Sequence, residues 1–207
     1  MITQLSGTCY EYTPGSFNVR FLDDPATAPP ISIHPSRPAS PAPEPSAIRY
    51  TREQIQPLRD ILEPILARVG RFDLCGSYRR GKPTVKDLDY IIETTHEGFA
   101  HLRDTLTAAG VTFHRGAGEI MFGVLHGVGV EFYRADPSSY TSVLIWRTGS
   151  MEHNVYCARV ARRKGLRIRR VGIEMRNGAM VHPGTEQDFY RILGVEFIAP
   201  EDRDVEG

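Results

Sequence analysis

The chain has 207 residues, 41% of them hydrophobic, enough for one ordinary domain or two small ones with real cores. Its formal net charge is zero, and its three cysteines, Cys9, Cys75 and Cys157, lie far apart. These features exclude a disulfide-stapled scaffold and a cysteine-held metal site; the N-terminus carries no secretory or membrane-spanning pattern, so an intracellular, reduced protein is expected.

Residues 1–47 read as a tail. Cys9–Tyr12 and Phe17–Phe21 flank Thr-Pro-Gly-Ser and suggest a short hairpin, marginal unless it packs on something. Eight prolines then fall between Asp24 and Ser46, a composition that favours extended chain and builds no core. From Thr51 the pattern is that of a folded domain. Thr51 and Gln54 fit a capping box, and Leu58, Ile61, Leu62, Ile65 and Leu66 recur at helical spacing. Pro57 is tolerable only near a helix start, and Pro64 should bend or shorten the helix. Strands are expected at Phe72–Cys75, Asp87–Ile92, Val111–His114, Ile120–Leu125 and Val128–Tyr133, with a helix over Phe99–Ala109 closed by Gly110. Beyond Asp136-Pro137 two helices, Tyr140–Arg147 and Met151–Lys164, are separated by a Thr-Gly-Ser turn, with Ser150 as N-cap of the second. Leu166–Met175 and Ala179–His182 read as a hairpin around Asn177-Gly178, and Thr185 caps a last helix ending at Gly194.

The chemistry concentrates in Cys75-Gly-Ser-Tyr-Arg-Arg-Gly-Lys82 and Asp87-Leu-Asp89. A Gly-Ser turn leaving an apolar strand offers N–H groups and a hydroxyl to a phosphate. Asp87 and Asp89, at i and i+2 on the next strand, share one face. Hard cations such as Mg²⁺ prefer such oxygen ligands, and two of them about 4 Å apart can clamp both the attacking and the leaving oxygen of an in-line displacement. Isolated Asp-x-Asp pairs are common on solvated loops. Here Leu88, Tyr90, Ile91 and Ile92 make the strand largely buried, where two unpaired acids would be costly without a cation. Charge is unevenly spread: residues 146–176 hold nine Arg and Lys against two Glu, a surplus of +7 that leaves −7 elsewhere. That split suits one lobe meeting a polyanion while the other holds metal ions. Arg162, Arg163 and Lys164 also suit a plain helix C-terminus, a reading that leaves Arg167, Arg169 and Arg170 unexplained.

Over residues 48–207 the chain resembles the nucleotidyltransferase superfamily, and within it the family X DNA polymerases. The resemblance rests on Gly76-Ser-Tyr-Arg-Arg80, Asp87-Leu-Asp89, Val130-Glu-Phe-Tyr133, Trp146-Arg-Thr-Gly-Ser-Met-Glu-His-Asn154, Thr185–Gly194 and Pro200–Arg203. It implies an α+β fold: a nucleotidyltransferase palm at 48–136, a mixed sheet with helices on one side, then a small α/β C-terminal lobe at 137–207. It also implies metal-dependent nucleotidyl transfer from a dNTP to a primer 3′-hydroxyl, filling short gaps in DNA. Two Mg²⁺, or Mn²⁺ in their place, would be held by Asp87, Asp89 and Glu131. Gly76, Ser77 and Arg80 would bind the triphosphate; Trp146, Gly149, Ser150 and Asn154 would surround the sugar and base. Arg159, Arg162, Arg163, Lys164, Arg167, Arg169 and Arg170 would meet DNA. A monomer acting on primer-template or gapped DNA, with no membrane association, is the corresponding expectation.

Without the resemblance, Trp146 reads as a core aromatic, Asn154 as a solvated helix residue and Arg79 equally as a structural arginine. Four departures limit what is carried over. Glu131 stands where the family usually has Asp, Arg147 replaces an aromatic, and Ala158 occupies the place of a template-checking arginine. The chain's three lysines, Lys82, Lys86 and Lys164, leave no Schiff-base amine ahead of the palm, so no lyase activity is expected. Other acceptors, such as a free 3′ end, an RNA, a protein or a small molecule, remain the alternative reading.

Overall fold

A computed structural model describes the strand backbones at 2–5, 8–12 and 19–21, and residues 48–116 and 118–204. The N-terminal strands β1 (Ile2–Leu5), β2 (Thr8–Tyr12) and β3 (Val19–Phe21) form an antiparallel sheet with β2 in the middle, Tyr10 opposite Thr3 and Phe21. The expected hairpin is thus joined by a third strand, which two marginal strands need. The Thr13–Ser16 turn and the proline-rich stretch lie outside the described residues.

A two-stranded ribbon, β4 (Tyr50–Thr51) against β6 (Thr84–Val85), precedes helix α1 (Arg52–Val69). Thr51 and Gln54 form the anticipated capping box. α1 runs through both Pro57, near its start, and Pro64, which does not shorten it. Each proline deprives the carbonyl four residues earlier of its partner, and those carbonyls belong to Glu53 and Asp60 on the exposed side, where water can replace the lost bond. Ile55, Leu58, Leu62 and Leu66 line the buried side.

The palm sheet contains β5 (Phe72–Leu74), β7 (Asp87–Glu93), β8 (Thr112–Arg115), β9 (Ile120–Leu125) and β10 (Val128–Ala135) in the order β5-β7-β10-β9-β8. β7 and β10 run parallel; every other pair is antiparallel. Helix α2 (Gly76–Arg79) is a single turn after β5, and α3 (His96–Ala108) starts three residues earlier than expected because Thr95 caps it at the Gly98 N–H. α1 and α3 cover one face: Leu62, Leu66, Phe99 and Leu106 pack on Leu88, Tyr90, Ile92, Val130 and Phe132. Strand alternation turns Asp87, Asp89, Ile91, Glu131 and Tyr133 to the opposite face.

Helix α4 (Tyr140–Thr148) crosses that opposite face, with Tyr140, Val143 and Leu144 against Ile91, Tyr133 and Ala135. Helix α5 (Met151–Arg163), strands β11 (Arg167–Arg169), β12 (Gly172–Glu174) and β13 (Met180–Val181), and helix α6 (Glu186–Leu193) enclose a second core around Ile145, Trp146, Ile173, Phe189 and Leu193. The single strand expected over Leu166–Met175 is instead a hairpin turning at Arg170-Val171. Gly172 permits it: a Cβ there would collide with the Val181 carbonyl of β13. A 3₁₀ turn at Pro200–Asp202 brings the chain back to the palm.

Candidate active site

Asp87 and Asp89 lie on β7, and the parallel register sets Glu131 of β10 opposite Asp89 and Gly129 opposite Asp87. All three acids therefore share the face that α4 partly covers. Burial first, then the charges of Asp87 and Glu131, push the Asp89 carboxyl well above the usual carboxylate range, against the pull of Arg147 and Arg80. Burial also raises Asp87, with Lys86 and Arg49 opposing. Glu131 rises for the same reason, held back by the Tyr133 hydroxyl that donates to its Oε2. Three acids drawn together out of water repel one another until a cation joins them.

Oxygen-only donors on adjacent strands suit Mg²⁺, so the Asp87 and Asp89 pair fits the ions expected here. Glu131 is drawn toward Tyr133, and among the described residues no three His, Cys, Asp or Glu side chains converge as a finished cage.

The turn expected to cradle phosphate sits directly on this pair. Cys75 N–H donates to the Asp89 carbonyl at 2.7 Å, and Gly76 follows with φ of 57°. A Cβ at Gly76 would collide with Oδ2 of Asp89, so only glycine allows the turn to lie against the carboxylate. Arg79 N–H, bonded to the Cys75 carbonyl, is the first donor used inside the turn, which leaves the N–H groups of Gly76, Ser77 and Tyr78 ahead of it. Cys75 is fully buried with its thiol pushed far up by burial, a small hydrophobe rather than a nucleophile.

The two arginines of the turn face different partners. Arg80 Nε donates to Asp204 at 2.9 Å and its Nη1 to the Thr148 carbonyl, while Lys82 reaches the other Asp204 oxygen at 3.1 Å. Arg79 forks onto Glu186 at 2.6 and 3.0 Å and reaches Thr148 Oγ1 at 3.0 Å; Arg203, fully buried, holds the same Glu186 at 2.9 Å. Those contacts draw Glu186 below the usual range despite its burial. Arg79 is therefore structural, joining the turn to α6.

Gly149 lies beside Arg80, so Gly76, Ser77, Arg80 and Gly149 cluster next to the acids. The Gly149–Ser150 peptide is cis. The remaining expected nucleotide contacts are inside the lobe. Ser150 caps α5 and donates to the Arg203 carbonyl at 2.7 Å, and Asn154, 2% exposed, donates to the Trp146 carbonyl at 2.9 Å. The Asn154 side chain, read from the sequence as solvated or reaching a base edge, is buried and engaged here. Trp146 is buried in the lobe core.

The basic stretch divides. Arg162, Arg163, Lys164 and Arg167 are exposed. Arg159 is 2% exposed within α5. Arg169 pairs with Glu174 at 2.7 Å, and Arg170 donates to Glu119 and to the Arg134 carbonyl of the palm. Arg159 and Arg170, both expected at DNA, are thus built into the protein: burial leaves one no path to a backbone phosphate, and the other already holds a carboxylate.

Sequence reasoning missed Tyr133, Glu186, Arg203 and Glu119. Tyr133 was recoverable, since two residues after Glu131 on a strand is the same face; the others depend on contacts between distant segments.

Comparison with known proteins agrees with this architecture. Residues 143–204 match the family model of the DNA polymerase beta thumb. The DNA polymerase/3′-5′ exonuclease PolX of Bacillus subtilis (strain 168) is 30% identical over 164 residues, covering 76% of this chain and 28% of the relative. DNA polymerase lambda of Rattus norvegicus is 28% identical over 160 residues, covering 63% of this chain and 28% of the relative. The chain thus spans just over a quarter of the length of these relatives. A mixed palm sheet with acids on adjacent strands, followed by a lobe of the thumb type, defines a beta-like nucleotidyltransferase as the class. Over the matched residues the chain is similar to the family X DNA polymerases.

Proposed function

We propose that the chain transfers a nucleotidyl group from a dNTP to a primer 3′-hydroxyl under the direction of a template, filling short gaps in DNA repair. The observation that carries this reading is the packing of the Gly76–Arg79 turn against the Asp87, Asp89 and Glu131 face, which brings a phosphate cradle and a set of oxygen donors within one side chain of each other. Asp87 and Asp89, joined by Glu131, would hold two Mg²⁺ or Mn²⁺. Such ions, when bound, supply activation of the attacking hydroxyl and neutralisation of the departing pyrophosphate.

The chain's own groups do the positioning. Ser77 and the leading N–H groups of the turn bind the outer phosphates, and Arg80 lies where it can exchange Asp204 for phosphate oxygens. Arg79 keeps the turn in place by its grip on Glu186. Arg162, Arg163, Lys164 and Arg167 hold the DNA backbone. Residues 48–136 act as the palm and 137–207 as the lobe of an intracellular monomer. No described helix is long and apolar enough to cross a membrane.

Primer extension on a one-nucleotide gapped duplex tests the proposal. Incorporation is expected from the wild type, with a loss of about 10³-fold or more in Asp87→Ala, since the carboxylate holds charge at the reacting atoms. An unchanged rate in that variant would overturn it. The engagement of Glu131 by Tyr133 favours a second reading, transfer to a different acceptor; faster extension of a single strand than of the gapped duplex would select it.

A further inference from the structure

Glu131 and Tyr133 stand at i and i+2 on β10, on one face. The Tyr133 hydroxyl donates to Glu131 Oε2. The ring that carries this hydroxyl is nearly immobile: it is 4% exposed, with the Arg147 guanidinium of α4 3.9 Å over its centroid and Phe122 of β9 edge-on at 6.4 Å. In the parallel register Tyr133 lies opposite Ile91 and Asp87 opposite Gly129, so Tyr133 and Asp87 are on opposite sides of Glu131 along the strands. The hydroxyl therefore ties the Glu131 carboxylate to the Tyr133 ring, and among the described residues no three acids converge as a metal cage. An aspartate is one methylene shorter and would have less reach toward that hydroxyl.

From this geometry we infer that Tyr133 is a positioning residue that parks Glu131 outside the metal-binding pair, and that Arg147 fixes the parked state by holding the Tyr133 ring. The inference rests on the reading of Asp87 and Asp89 as metal ligands. Release of Glu131 completes the donor set, and because Arg147 sits in the last turn of α4, directly before the Thr148-Gly149-Ser150 corner, the position of that helix end decides when release occurs. The longer acid is in this light a movable third ligand.

The test is Mn²⁺ binding to the full chain without nucleotide, followed by the paramagnetic resonance signal of free Mn²⁺. Tyr133→Phe removes the hydroxyl and keeps the ring. Its Kd for Mn²⁺ is expected to fall about threefold to tenfold, the worth of one hydrogen bond no longer holding the carboxylate back. Glu131→Gln removes a nearby charge and should itself weaken Mn²⁺ binding, and in that background Tyr133→Phe should bring no further gain. In primer extension Tyr133→Phe should lower the Mg²⁺ concentration needed for half-maximal rate and leave KM for dNTP unchanged. A Tyr133→Phe Kd equal to or above that of the wild type, or a gain that survives Glu131→Gln, overturns the inference. Asp87→Ala separates the two claims: binding that persists in it refutes the metal site itself, whereas binding lost in it with Tyr133→Phe unchanged refutes only the parking. Arg147→Leu, which leaves the hydroxyl and loosens the ring, provides a second variant and should give a smaller gain in the same direction; no gain counts against the role of Arg147.

Discussion

His153 lies inside the thumb-type lobe, its Nε2 2.7 Å from the Tyr190 hydroxyl and 3.4 Å from the Cys157 sulfur, its Nδ1 beside Asn154. Burial, reinforced by the charge of Arg203, lowers its pKa from 6.5 to about 3; the Asn154 contact and Glu186 oppose this, and Arg80 adds to it. The folded state therefore keeps the imidazole neutral where the unfolded chain protonates it. Stability contributed in this way is full above pH 6.5 and is lost as pH falls toward 3. Each pH unit inside that window costs up to about 1.4 kcal/mol. Urea denaturation at pH 7, 6 and 5 is expected to show the decline, and His153→Gln, which cannot take up a proton, should flatten it. The buried acids of the palm, whose pKa values are raised, tilt the curve the other way in both proteins, so the difference between variant and wild type is the quantity to read. A difference independent of pH would show that burial does not lower the His153 pKa.

Between elements, the β11–β12 hairpin is fastened to the palm by a charge network. Arg134, 2% exposed on β10, forks onto Glu119 at 2.9 Å and onto Asp136 at 2.6 and 3.0 Å, and also reaches the Thr94 carbonyl at 2.8 Å. Glu119 in turn accepts from Arg170 in the hairpin turn, with His96 at 3.3 Å. Removing Glu119 leaves two arginines facing each other with one carboxylate fewer. Breaking a fully buried pair costs 3–5 kcal/mol, and because Glu119 is partly solvated a loss of about 2 kcal/mol is expected for Glu119→Ala in urea denaturation. Arg170→Ala should cost less, since Arg134 keeps both carboxylates.

The same contrast shows what could be read from the chain. α1 was legible because Thr51, Gln54 and the leucine spacing are local signals, and β7 because two acids adjoin an apolar run. The hairpin turn at Arg170-Val171 lacks the Gly or Asn that usually marks one, and its sole cue, Gly172, serves contact with β13. Ser77, Arg80, Asp87 and Asp89 stand out in the sequence by spacing and chemistry, and the structure brings the turn that carries the first two against the strand that carries the acids. Asn154 and Arg159 were misplaced because burial is a property of the packed lobe, and a polar residue on a helix does not announce which side is inward.

At the scale of the molecule, three sets of buried residues are stacked among the described residues: the palm core under α1 and α3, the lobe core around Trp146, and between them Cys75, Ile91, Tyr133 and Tyr140. On the proposed function, DNA would be held by what this packing leaves outside. Arg162→Ala and Arg167→Ala should each weaken binding to gapped duplex and reduce the slope of log K against log salt by about 0.9, one phosphate contact apiece. Arg170→Ala should leave that slope unchanged. Equal slopes for all three variants, measured by fluorescence anisotropy between low and moderate salt, would remove the exposed cations from the interface.

The turn at Gly76–Arg79 owes its restraint to residues made much later. Arg79 meets Glu186, 107 positions further along, and Arg80 meets Asp204, 124 positions further. A chain emerging from the ribosome can close the palm sheet, and so bring its three acids together, long before either anchor exists. During synthesis the acids are thus assembled ahead of the two anchors of the turn. The order of manufacture therefore leaves the Gly76–Arg79 turn without its two distant anchors until Glu186 and Asp204 have been made.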